Sequence, residues 1–107
     1  MGTIKVQQIL SVKLNLLKTN PPSLKILAKG ENQNNNYQNV RLSPIVEIAP
    51  PADGVWQFDM IGEVPEFVDS IVTEVSAPYR WKDIPETLKG VRVNGIINNV
   101  TTNLKKK

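Results

Sequence analysis

The sequence contains no cysteine, which removes disulfides, thiolate nucleophiles, Cys-ligated zinc and iron-sulfur clusters. It contains no histidine either. With that residue go the base of a hydrolytic triad, the usual proton shuttle near neutral pH and the commonest ligand of zinc, copper and non-haem iron. No metal or other cofactor is expected, and any chemistry would fall to carboxylates, lysines, tyrosines and hydroxyls. Long apolar runs are also missing, none approaching the roughly 20 residues of a membrane-spanning helix. The opening MGTIKVQQIL alternates polar and apolar residues, where a secretory leader needs a continuous apolar core followed by small residues at a cleavage site. The expectation is a soluble, cytoplasmic protein with no membrane contact.

The 107 residues suit a single domain, since a chain of this size buries roughly two thirds of its unfolded surface and needs no staples. Residues 1–104 are read as that domain and residues 105–107 as a basic tail. The formal charge of +3 equals the three lysines of the tail, so the domain itself is neutral. Its charges are nonetheless segregated. Residues 1–45 carry six basic side chains against Glu31, whereas residues 46–86 carry nine acidic ones against Arg80 and Lys82. A nucleic-acid surface gathers Lys and Arg with interleaved aromatics, but Trp56, Phe58 and Phe67 all lie in the acidic third. The segregation therefore predicts oppositely charged strands lying side by side, and no nucleic-acid partner.

Period-two alternation dominates what is present. Across residues 4–16 the even positions read Ile, Val, Gln, Leu, Val, Leu, Leu, and the odd ones are mostly polar, which predicts one long strand with a bulge or break at Gln7 and Gln8. The prolines of TNPPS end it. LKILAK follows as a short strand, and then the asparagine-rich residues 30–39 form a surface loop suited to left-handed conformations. In VRLSPIVEI the residues Val40, Leu42, Val46 and Ile48 share a face, with Pro44 marking an edge or a bulge. In PPADG the pattern is that of a turn in which Asp53 caps the backbone and Gly54 takes a positive φ.

VWQFDMI then sets Trp56, Phe58 and Met60 on one face as the centre of the core, beside Val12, Leu14 or Leu16. A strand is expected from Ser70, and SAPYRWKDIPETLKG reads as a long corner whose prolines confine any helix to about a turn. Asn94 and Gly95 mark either a hairpin or one bent strand with a glycine bulge. The sum is an all-β fold, an antiparallel β-sandwich of six to seven strands with at most one short helical turn, and its structural rival is a five-stranded oligonucleotide-binding barrel.

The segment PPADGVWQFDMIGEVP, together with LKGVRV, resembles a pattern of small bacterial proteins of unassigned function with an immunoglobulin-like or prealbumin-like sandwich. The resemblance implies a sandwich and supplies no catalytic residue.

For function, PYRWKD places Tyr79, Arg80 and Trp81 together in an expected loop, and these are the residue types enriched at binding hot spots. The competing expectation is that Trp81 turns inward as a plug and Arg80 pairs with a carboxylate of the acidic segment. The leading reading is a non-catalytic binding or protein-interaction module that uses loops at one end of the sandwich, its partner another protein or a second copy of the chain. Two alternatives come from other classes. Asp53, Asp59, Glu63, Glu66 and Asp69 could supply the paired carboxyls of a carbohydrate-active enzyme, and a barrel could serve as a small nucleic-acid-binding module.

Overall fold

The computed structural model describes residues 2–45, 49–65 and 69–104. Their strands are β1 (Gly2–Lys5), β2 (Gln8–Leu17), β3 (Ser23–Asn32), β4 (Gln38–Pro44), β5 (Val55–Val64), β6 (Thr73–Lys82), β7 (Gly90–Asn94) and β8 (Asn99–Asn103). They form two packed sheets, a five-stranded one around β5 and a three-stranded one in the order β2-β3-β6. The fold is an all-β sandwich. Among the described residues there is no helix, hence none long and apolar enough to cross a membrane.

Strand β5 organises the larger sheet. Its residues 58–63 pair antiparallel with β4, residues 61–64 pair antiparallel with β1, and residues 55–59 pair parallel with β7. Because β4 overlaps both of the others along β5, β1 and β7 must share the opposite edge end to end. Strand β8 extends the sheet beyond β7. The parallel pair is allowed because the chain leaves the sheet after β5, runs through β6 in the other layer and returns.

The expected break at Gln7 and Gln8 is where the chain changes sheets. The backbone groups of Val6 and Gln7 all find partners, as a crossing near the core requires. The Val6 amide donates to the Met60 carbonyl at 2.8 Å, and the Val6 and Gln7 carbonyls accept from the Ile96 and Ile97 amides. The Gln7 amide donates to Oδ1 of the buried Asn32 at 2.9 Å. One expected strand is thus two, which raises the count to eight.

The strict even-numbered apolar face is corrected by a bulge at Leu10, where the register with β3 slips between Ile9 and Ser11. The extra residue turns Ile9 inward and leaves Leu10 exposed. Strand β3 runs on through Asn32, so the asparagine-rich loop is shorter than the composition suggests; Asn36 within it takes a positive φ, as does Asn39 near the start of β4. Strand β4 ends at Pro44, and Val46 and Ile48 lie outside the described residues, as do Glu66, Phe67 and the tail.

Strand β6 begins at Thr73, not Ser70, and continues through Pro78 to Lys82. PYRWK is therefore strand and not corner. Proline fits here because β6 is an edge strand, paired on one side by β3. The hairpin alternative at Asn94 holds, since Asn94 pairs with Asn99 and the Gly95 amide donates to Asn98. Gly54 has the expected φ of 73°, its amide donates to Pro51, and Oδ1 of Asp53 accepts from the Val55 amide.

The core lies between the sheets. Phe58 and Met60 of β5, Leu24, Ile26 and Ala28 of β3, Ala77 of β6 and Val91 and Val93 of β7 are buried. Val12 is buried with them, while Trp56, Leu14 and Leu16 are half-buried against the same cluster. One lateral seam is closed by side chains: Thr102 Oγ1 donates to the Val12 carbonyl at 2.8 Å, and the Asn98 amide group bonds both backbone groups of Ile9.

Candidate functional site

Alternation along β6 separates the three residues that the sequence grouped. Ala77, Tyr79 and Trp81 face the core, and Pro78, Arg80 and Lys82 face out. Tyr79 and Trp81 are half-buried and join an edge-to-face aromatic chain on Phe58, with ring centroids 5.2 Å away for Tyr79 and 5.4 Å for Trp81. Trp56 continues the chain at 5.8 Å from Trp81. Together with Pro44 and Ile45 these rings line a cleft of about 290 Å³ between the edges formed by β4 and β6. The Nε1 group of Trp56 is enclosed and has no hydrogen-bond partner. Trp81 turns inward onto Phe58 and stays half-buried, while Arg80 projects from the opposite face of the strand.

That opposite face is the outer surface of the three-stranded sheet. Residues directly opposite on neighbouring strands share a face, so the register gives rows across it. Asn15, Lys25 and Arg80 form one row, Lys13, Leu27 and Pro78 the next, then Ser11, Lys29 and Ser76, and finally Gln8, Glu31 and Glu74. Two rows therefore set like charges directly opposite: Lys25 against Arg80, and Glu31 against Glu74. Such pairs cost stability instead of adding it. Around the first two rows lies a groove of about 810 Å³ lined by Lys13, Lys25, Arg80, Asn15, Leu27 and Pro78. Its floor is apolar and its rim is cationic.

The larger sheet is arranged the other way. Lys5 lies 3.9 Å from Asp59, and Arg41 lies 2.7 Å from Glu63. Asn94 donates to both Gln57 and Asp59, and Arg92 donates to Thr101. The expectation of oppositely charged neighbours thus holds for β5 with β1 and β4, and is corrected for β3 with β6. The expected pairing of Arg80 with a carboxylate is absent among the described residues, whose mutual ion pairs are the two in the larger sheet. Comparison of the chain with family models, curated proteins and solved structures finds no match.

Three of the carboxylates considered for glycoside cleavage occupy structural places, and Glu66 lies outside the described residues. Asp53 caps the turn, Asp59 and Glu63 meet cations on the outer face, and the backbone of Asp69 bonds Asn35. Among the described residues no three His, Cys, Asp or Glu side chains come together as a metal site. What the sequence reading missed is Lys13, Lys25, Leu27 and Pro78. The odd positions Lys13, Lys25 and Lys29 were legible as one polar face. That β6 would bring Arg80 directly opposite Lys25 was not, because PYRWK was read as a corner.

Proposed function

We propose that the protein is a non-catalytic interaction module whose contact surface is the outer face of the three-stranded sheet, not the loops at its ends. The observation that carries this reading is the row Lys25–Arg80, two exposed cations held opposite each other beside the apolar pair Leu27 and Pro78, with Lys13 on the same groove. A monomer gains nothing from that arrangement, whereas a bound anionic segment would relieve the repulsion and cover the apolar floor. The face carries no aromatic side chain on which bases could stack. It fits an acidic, partly apolar protein segment better than a nucleic acid.

A fluorescent peptide of alternating glutamate and leucine tests this by anisotropy, against labelled oligo-dT of the same charge. The peptide should bind, and Lys25→Glu with Arg80→Glu should weaken binding at least about tenfold, since charge reversal replaces attraction with repulsion at two contacts. Tighter binding of the oligonucleotide at physiological salt would replace the protein partner with a nucleic acid, and indifference to the charge reversal would remove the groove from the interaction.

A further inference from the structure

We infer that the partner best matched to this face is a second copy of the chain, docked face to face about a two-fold axis. The inference rests on the reading of the outer sheet as an interaction surface, and it comes from the order of charges along the strands. On β3 the outward residues run Lys25, Leu27, Lys29, Glu31, and on β6 the residues opposite them run Arg80, Pro78, Ser76, Glu74. The basic row and the acidic row are equidistant from Ala28 and Ala77, which are themselves opposite each other. Each row lies three residues, about 10 Å, from that centre.

A two-fold axis along the row direction through this centre keeps each strand over its own counterpart and reverses its direction. Glu31 then meets Lys25 of the second copy, and Glu74 meets its Arg80. By symmetry both contacts occur twice, as an isologous interface demands. The operation converts both like-charge rows into opposite-charge contacts. It also lays Leu27 on the aliphatic stem of Lys29 and Pro78 on Ser76, and brings Lys13 over Ser11, so no cation faces a cation. The two unfavourable rows of the monomer thus become the complementary halves of one interface. The described residues of the larger sheet have no comparable antisymmetry, since Lys5 and Arg41 are already paired within the chain.

Three strands of about ten residues cover roughly 475 Å² on each copy, or about 950 Å² in total. This lies below the roughly 1,200–2,000 Å² of standard specific interfaces, so the dimer should be weak and strongly salt-dependent.

Sedimentation velocity across a concentration series tests this at about 25 mM and about 500 mM salt. The expected result is a monomer–dimer equilibrium at low salt that weakens at least about tenfold at high salt. The Lys25→Glu/Arg80→Glu variant and the Glu31→Lys/Glu74→Lys variant should each be monomeric alone, and their equimolar mixture should form dimers. The chain carrying all four changes should dimerise like the parent, because exchanging both rows restores the match. All four positions are solvent-facing, and circular dichroism verifies that each variant is folded. Amide shifts of the parent on dilution supply an independent readout, and they should map to β3 and β6 and spare β5. A parent that stays monomeric at low salt overturns the inference, as does a mixture that fails to associate or dilution shifts on the larger sheet. If such a monomer still binds the glutamate–leucine peptide through Lys25 and Arg80, the interaction-module reading survives and the second copy is excluded. If it binds neither, both readings fall.

Discussion

Trp56 shows how much a single side chain can be asked to do. Its ring extends the edge-to-face chain through Trp81 to Phe58, while its Nε1 group is enclosed without an acceptor. An enclosed donor without a partner costs about 1–3 kcal/mol, which offsets much of what burying the ring contributes. Trp56→Phe removes the donor and keeps most of the aromatic contact. Its urea midpoint should therefore correspond to a stability within about 1 kcal/mol of the parent, or above it. Phe58→Ala, which empties the centre of the same chain, should cost about 3–5 kcal/mol. Equal losses for the two changes would mean that the indole N–H is bonded in solution. The identity of these residues was legible from their shared face on one strand. The contact of Phe58 with Tyr79 and Trp81 was not, since alternation along one strand says nothing about which strand of the facing sheet covers it.

At the scale of elements, alternation located β4 and β5 and ran β1 and β2 together, Asn94 and Gly95 left a hairpin or a bulged strand open where β7 meets β8, and the turn chemistry of Asp53 and Gly54 placed the entry to β5. Two devices that interrupt alternation were harder to read. The bulge at Leu10 shifts the inward set by one residue, and an added residue leaves no mark in composition. Pro78 was read as confining a helical turn within a long corner, although at a sheet edge a proline costs nothing that the ladder needs. The second misreading has a consequence for the site, because β6 supplies half of the basic row. The bulged region is held by Asn98, whose Oδ1 accepts from the Ile9 amide at 2.7 Å and whose Nδ2 donates to the Ile9 carbonyl at 2.9 Å. These bonds tie the β7–β8 turn to the opposite sheet, so the clamp joins the two layers. Asn98→Ala should cost about 2–3 kcal/mol through two lost, part-buried bonds. It should also speed hydrogen exchange at Ile9 well beyond that at Ile26, which lies deep in β3. Unchanged exchange at Ile9 would show that β2 holds its place without the clamp.

For the whole molecule, the distribution of charge separates one sheet whose cations are paired internally from one whose cations are not. Net charge conceals this, because the domain without its tail is neutral. The segregation of basic and acidic stretches was visible in the sequence, but which stretches meet depends on the crossover at Val6 and on β6 lying beside β3, and both are tertiary facts. The consequence is a trade between stability and association. In the monomer Arg80 faces Lys25, so Arg80→Glu turns repulsion into attraction and should raise stability by about 0.5–1 kcal/mol. Denaturation at a protein concentration of about 1 μM, far below that needed for dimers of the affinity expected here, isolates this term from mass action. The gain should shrink as salt is added, because both side chains are exposed. Glu31→Lys, opposite Glu74, should behave the same way. Each change should at the same time weaken association, so that the variants move up in stability and down in binding together. A destabilised Arg80→Glu protein would assign Arg80 a contact inside its own chain and would remove the argument that this row is maintained for a partner.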